Sequence, residues 1–149
     1  MIQIRYFTKS KKGNTKKLAD FISNKLQIEA LDVTNKLDES ADILILVNAL
    51  YANNIDKEVK LFLEVNKDNI KKLVNVCSSA SGKSTYKRVK KECDRLGINI
   101  LEDNYSTKAS WIFINKGRPN EKDFNRLDEF IDIIIKKGDI NEWIWSIIA

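Results

Sequence analysis

Apolar and polar positions along the chain alternate between a short, strand-like rhythm and a helical one. Ile2 to Phe7 alternates loosely, is rich in isoleucine and aromatics, and ends in the polar stretch Thr8 to Thr15, so a strand running into a loop is predicted. From Thr15 to Leu26 the residues Leu18, Ala19, Ile22 and Leu26 recur at helical spacing while Lys16, Lys17, Asp20 and Lys25 fall outside that stripe. Ile28 to Val33 predicts a second strand. Asp42 to Val47 is a near-continuous apolar run of the kind buried on both faces of a parallel sheet. Asp56 then offers an N-cap to a helix carrying Val59, Phe62 and Leu63. The pattern repeats with a strand over Leu73 to Cys77, a Ser/Gly-rich loop over Ser78 to Ser84, and a helix over Tyr86 to Leu96. That helix shows Val89, Cys93 and Leu96 on one face and is closed by Gly97. Ile98 to Leu101 predicts a fifth strand, and Trp111 to Ile114 an apolar segment that extends the sheet or lies along its edge. A last helix over about Asp123 to Lys137 carries Phe124, Leu127, Ile131 and Ile134, with Gly138 as its stop. Strands alternating with helices predict an α/β domain spanning 1–149, with helices on both faces of a mostly parallel sheet.

Composition narrows the chemistry. With 149 residues, 43% hydrophobic and 32% charged, the chain makes one domain with a filled core and leaves no room for a second catalytic one. It holds 26 Lys plus Arg against 21 Asp plus Glu, a net charge of +5, and no histidine. Ser-His-Asp, Cys-His and His-ligated metal chemistry are therefore excluded. One proline and five glycines argue against linkers and turn-dense sandwiches. Cys77 and Cys93 do not form a zinc or C-x-x-C pattern, and buried thiols in a reducing compartment are expected. The start of the chain lacks the features of a secretory signal, and no apolar stretch reaches the ~18 residues of a membrane span. A cytoplasmic protein with no membrane partner is expected. The apolar tail Ile140 to Ala149, with Trp143 and Trp145, is expected to pack on the body or on a second subunit.

In open parallel sheets ligands bind beyond the carboxyl ends of the strands. Three loops leave such ends: Thr8 to Thr15, Asn48 to Ile55 and Ser78 to Ser84. The first combines Ser10, Thr15, Asn14, Gly13 and the lysines Lys9, Lys11 and Lys12 at a helix start, where amides, hydroxyls and the helix dipole suit a phosphate. A polar loop with an ordinary helix cap fits that local sequence equally well. Ser10-Lys-Lys-Gly-Asn-Thr15 resembles the phosphate-binding loop of flavodoxins, whose usual form is Ser/Thr-x-Thr-Gly-Asn-Thr after the first strand. Ala49 to Asp56 and Ser79 to Ser84 are similar to the second and third flavin-contacting loops of small flavodoxin-like proteins, and Asn115 to Phe124 is similar to a segment leading into their last helix. The resemblance covers nearly the whole chain, and four segments in the right order make it fairly specific.

The resemblance implies a doubly wound five-stranded parallel sheet of order 2-1-3-4-5 and non-covalent FMN as cofactor. Carried over by position, it assigns the phosphate to Ser10, Gly13, Asn14 and Thr15, with Lys11 and Lys12 among the cofactor-binding residues of the same loop. Lys12 stands where threonine is usual, so one short hydroxyl donor is replaced by a cation. The second loop brings Asn48, Ala49, Leu50, Tyr51 and Ala52, with Tyr51 expected against the flavin ring system. The third brings Ser78, Ser79, Ala80, Ser81 and Gly82 to its polar edge. Related proteins often have two glycines where this chain has Asn53-Asn54, so a less easily flipped peptide is expected there.

Gly82-Lys-Ser84 does not complete a nucleotide-hydrolysing P-loop, because Cys77 stands where the first glycine belongs and Asn48 where a magnesium-holding carboxylate belongs. Asn48 likewise speaks against a phospho-accepting receiver domain. The resemblance implies an electron carrier rather than a substrate-converting enzyme, with ferredoxin-like proteins or flavin/iron-sulfur reductases as redox partners. Residues 81–120 hold nine Lys/Arg and four Asp/Glu, a local positive field suited to acidic partners. The alternatives are an FMN-dependent reductase acting on a quinone, a porphyrin precursor or a metal complex, and a binding protein of the same fold that has lost FMN. Nucleic acid is disfavoured as a partner, since no recognisable motif accompanies the basic charge.

Overall fold

The computed structural model describes residues 1–9 and 13–148, and for 139–146 and 148 the backbone only. In chain order the elements are β1 (Ile2–Tyr6), α1 (Asn14–Leu26), β2 (Ala30–Asp32), β3 (Ile43–Ala49), α2 (Lys57–Asn66), β4 (Leu73–Ser79), α3 (Tyr86–Leu96), β5 (Tyr105–Lys108) and α4 (Glu121–Ile148). The strands form one parallel sheet in the order β2-β1-β3-β4-β5. Because β2 lies on one side of β1 and β3 on the other, the winding direction reverses between β1 and β3. A crevice opens there beyond the strand ends.

Side-chain alternation along the central strands sorts the core into two layers. Leu44 and Leu46 of β3, with Leu73 of β4, face Val59, Phe62 and Leu63 of α2 and Val89 and Cys93 of α3. Ile45, Val47, Val74 and Val76 face Leu18, Ala19 and Ile22 of α1 and Leu127, Ile131 and Ile134 of α4. Strands covered on both sides need apolar residues at consecutive positions, which is why β3 and β4 read as continuous runs. The caps read from sequence are in place. The Asp56 carboxylate accepts from the Glu58 amide at 3.0 Å, and Gly97 adopts φ 76° with its N–H donating to the Cys93 carbonyl.

Three expectations change. The fifth strand is Tyr105–Lys108 rather than Ile98 to Leu101, of which only Ile100 bridges to Leu73. Ile98 is drawn under α3 into the core, whereas Tyr105 and Thr107 turn inward with period two and let the edge strand form. Trp111 to Ile114 does not extend the sheet but closes on itself as a tight turn. Gly138 does not end the last helix. It keeps a negative φ inside α4, and a glycine stops a helix only when it turns left-handed. The side chains of Trp143 and Trp145, for which packing was expected, lie outside the described residues. Among the described residues, no helix is long and apolar enough to cross a membrane. Cys77 and Cys93 are both buried free thiols.

Candidate functional site

β1, β3, β4 and β5 end together, since Tyr6 pairs with Val47, Ala49 with Ser78 and Ser79 with Lys108. The loops that leave them enclose a cleft of about 610 Å³ at the point where the winding reverses. Its wall draws on all four loops, with Gly13, Asn14 and Thr15 from the first, Ala49 to Asn53 from the second, Ser78 to Ser81 and Lys83 from the third, and Ala109 to Trp111 from the fourth.

The first wall is a helix start. Gly13 is the N-cap of α1, in an extended conformation with no side chain to occupy the first-turn amides, and no acidic residue lies in that turn. Those N–H groups and the positive end of the helix dipole are therefore available to an anion. The Thr15 and Ser78 hydroxyls, both buried, meet at 3.3 Å. The Asn14 side chain is otherwise engaged, donating to the Ser110 carbonyl at 3.1 Å and its hydroxyl at 3.2 Å, so it ties the first loop to the fourth. Ser10, Lys11 and Lys12, which the resemblance assigns to the cofactor, lie outside the described residues.

The second wall is a two-residue turn. Tyr51 and Asn54 exchange backbone hydrogen bonds at 2.8 and 2.9 Å, with Ala52 at φ 48° and Asn53 at φ 64°. Positive φ at both central positions matches the twist of a hairpin, and the pair that carries it is Ala52-Asn53 rather than Asn53-Asn54. Tyr51 is held from the first loop. Phe7 meets its ring edge-on at 6.2 Å, the Lys9 ammonium lies 4.4 Å from its centroid, and the Lys9 N–H donates to its hydroxyl at 3.4 Å. Lys9 also pairs with Asp56 at 3.8 Å.

The third wall is tied down by its own hydroxyls and by the fourth loop. Ser79 donates to the Lys83 carbonyl at 2.7 Å, the Ser81 hydroxyl accepts from the Lys83 N–H at 3.3 Å, and Asn115 donates to the Ala80 carbonyl at 2.8 Å. Gly82, at φ 81°, is not on the wall. A Cβ there would sit 3.1 Å from the Cε of the flexible Lys108 side chain, which can give way, so it is the left-handed conformation that favours glycine.

Asn48 is a correction. It sits within β3, fully buried, with its amide donating to Asn75 Oδ1 at 2.7 Å while its own Oδ1 has no partner among the described residues. Asn75 in turn donates to the Thr85 hydroxyl at 3.0 Å. Asn48 thus contributes to a polar chain running from the sheet interior to the start of α3, not to the cleft wall.

Ala109, Ser110 and Trp111 also line the cleft, a role that the sequence pattern does not assign to them. Placing the fifth strand too early hid the loop that follows its true end. Tyr105-Ser-Thr-Lys108 carries the alternation that would have revealed it. Downstream, Asn120 and Asp123 cap α4 reciprocally, with Asn120 Oδ1 accepting from the Asp123 N–H at 3.1 Å and Asp123 Oδ2 from the Asn120 N–H at 2.8 Å. The Arg118 guanidinium beside the buried Asp123, helped by the Asn120 amide and Arg126, holds its carboxyl far below the usual carboxylate range.

Residues 6–138 match the family model described as flavodoxin domain. The chain belongs to the flavodoxin family. Solved structures with the same fold include a Streptococcus pneumoniae flavodoxin, 21% identical over 91% of this chain and 98% of that one with a TM-score of 0.63. An archaeal flavodoxin is 17% identical with a TM-score of 0.71 at the same coverages, and oxidised flavodoxin 2 from Bacillus cereus is 16% identical with a TM-score of 0.66, again at 91% and 98%. No curated protein sequence matches the chain significantly.

Proposed function

We propose that the cleft binds FMN without a covalent link and that the protein is an electron carrier of the flavodoxin type. The observation that carries this reading is the open start of α1 facing a cleft whose rim bears a braced aromatic ring. The donor set fits the group. The uncapped amides from Gly13 to Thr15, with the Thr15 hydroxyl, suit a phosphate dianion. Tyr51, Ala49 and Leu50 offer area to a flat ring system, and the third-loop amides and hydroxyls from Ser78 to Ser81 suit its polar edge. Ser10, Lys11 and Lys12 would complete the phosphate end.

Bound FMN would supply one- and two-electron chemistry, leaving this chain to bind, orient and shield it. That division of labour suits a protein with no histidine. Lys9, Lys83 and Lys108 at or beside the cleft favour an acidic redox partner such as a ferredoxin-like protein, in a cytoplasmic setting. A reductase acting on an apolar acceptor is the second reading, favoured by Trp111 on the cleft wall.

The test is the visible spectrum of the purified protein before and after adding FMN and desalting. Retained flavin bands are expected. Thr15→Ala should weaken FMN roughly tenfold or more, the loss of one bond to a charged acceptor, and Tyr51→Ala about two- to tenfold through lost stacking. No retained flavin, or unchanged affinity in both variants, refutes the assignment. Steady turnover with NAD(P)H and a quinone would favour the reductase.

A further inference from the structure

The turn after β5 presents four consecutive large apolar side chains to solvent. Trp111, Ile112, Phe113 and Ile114 are 60%, 67%, 82% and 48% exposed. Soluble surfaces carry single exposed apolar residues freely, but not a contiguous tip of this kind. The turn is closed by its own backbone, Trp111 and Ile114 exchanging hydrogen bonds at 3.0 and 2.9 Å, and its base by Ser110 N–H to the Arg118 carbonyl at 2.9 Å. Ile112 holds φ 52°, a conformation that branched side chains rarely adopt. A sequence free to bury these residues or to replace Ile112 with glycine or asparagine has done neither.

The charged residues next to the tip in sequence are basic. Between Asp103 and Glu121 the only ionisable acid or base side chains besides Tyr105 are Lys108, Lys116 and Arg118; Arg118 is paired with Asp123, and the Lys116 ammonium lies 5.7 Å from the Phe113 ring centroid. Tryptophan, large aliphatic residues and lysines gathered on one protrusion match the chemistry of the bilayer boundary, where apolar side chains enter the acyl region and cations meet anionic headgroups. Four side chains on a turn are too few for a stable protein interface, which takes about 20–30 residues a side.

We infer that the Trp111–Ile114 turn, with Lys108 and Lys116, docks the protein reversibly on an anionic membrane surface. The expectation of no membrane partner rested on spanning segments, and surface docking needs none. Trp111 is shared between the tip and the cleft wall, so docking sets the mouth of the cleft against the membrane. The inference goes beyond flavin binding and stands whether or not the cleft holds FMN.

The test is co-sedimentation of the full chain with vesicles of phosphatidylglycerol and phosphatidylcholine, against phosphatidylcholine alone, at low and high salt. The wild-type protein should sediment with the anionic vesicles and be released by salt. The double variant Ile112→Asn/Phe113→Ser should reduce partitioning about tenfold or more, since insertion scales with buried apolar area. Both residues are exposed and asparagine accepts the positive φ, so folding is preserved, which an unchanged thermal midpoint checks. Lys116→Gln should weaken binding, whereas Lys72→Gln, at the opposite end of the sheet, should leave it nearly unchanged. Wild-type protein that ignores anionic vesicles, or a double variant that binds like wild type, overturns the inference. So does a double variant that changes only the elution volume, which would make a second copy of the chain the occupant of the tip.

Discussion

The buried amide chain Asn48–Asn75–Thr85 offers a test whose sign is set by the structure. Asn75 accepts from Asn48 at 2.7 Å and donates to Thr85 at 3.0 Å, and all three side chains are fully buried. Asn75→Leu leaves the Asn48 amide with two long contacts, to the Leu46 and Val76 carbonyls at 3.4 Å, while Asn48 Oδ1 is already without a partner among the described residues. It also strips Thr85 of its donor. At about 1–3 kcal/mol for a buried polar group left unmatched, with the Asn48 amide only partly so, the single variant should lose about 2–4 kcal/mol. Asn48→Leu alone strands only Asn75 Oδ1 and removes the orphaned oxygen, so it should cost about 1 kcal/mol. Joining both changes replaces the pair by apolar groups of similar shape. The double variant should therefore be more stable than Asn75→Leu by about 1–2 kcal/mol, although it carries one more substitution. Urea unfolding followed by far-ultraviolet circular dichroism and by tryptophan fluorescence measures this. With a slope of about 2 kcal/mol per molar, the single variant's midpoint should fall by about 1–2 M and the double variant's should partly recover. Additive losses, with the double variant the least stable of the three, would refute the account of the amide chain.

Asp123 is held far below its unfolded carboxylate value, first by Arg118, so its contribution to stability is present above the unfolded pKa of about 3.9 and is lost as pH falls through the folded value. Asp123→Asn should lower stability by about 1–2 kcal/mol at pH 7 and flatten its decline in acid, measured as thermal midpoint against pH. Burial, then Asp94, pushes the Cys93 thiol up to about 12. The native protein should therefore leave Cys93 unmodified by iodoacetamide at pH 8, with reaction following only on unfolding, as counted by mass spectrometry. Gly138→Ala should raise stability by up to about 1 kcal/mol in thermal melts, because the added Cβ would meet Ile43 Cδ1 at an ordinary 3.7 Å within a helix.

Local pattern was enough for most of the architecture. The runs at Asp42 to Val47 and Leu73 to Cys77 announce strands covered on both faces, Asp56 and Gly97 announce helix ends, and the 3.6-residue stripe of α3 runs over the same residues, Tyr86–Leu96, in the structure. Each of these signals depends on neighbours within a turn or two of chain. The loops at the carboxyl ends of β1, β3 and β4 followed from strand direction alone, and residues of all three line one cleft, with Asn48 and Gly82 off its wall. What local pattern missed lies where distant segments compete for the same space. Ile98 to Leu101 is apolar enough for a strand, but α3 and the sheet edge draw Ile98 and Ile100 apart from one another in role, and the weaker Tyr105–Lys108 takes the edge.

The sequence by itself determined the alternation of strands and helices, the absence of histidine chemistry, and the loops that border the cleft. Periodicity, caps and composition act at short range. Only the tertiary structure decided that Asn48 turns into the core toward Asn75, that Asn14 binds the fourth loop, and that Trp111 to Ile114 stands out in solvent instead of joining the sheet. Which side a side chain faces is set by the register of strands and by what packs over them, and those contacts span tens of residues.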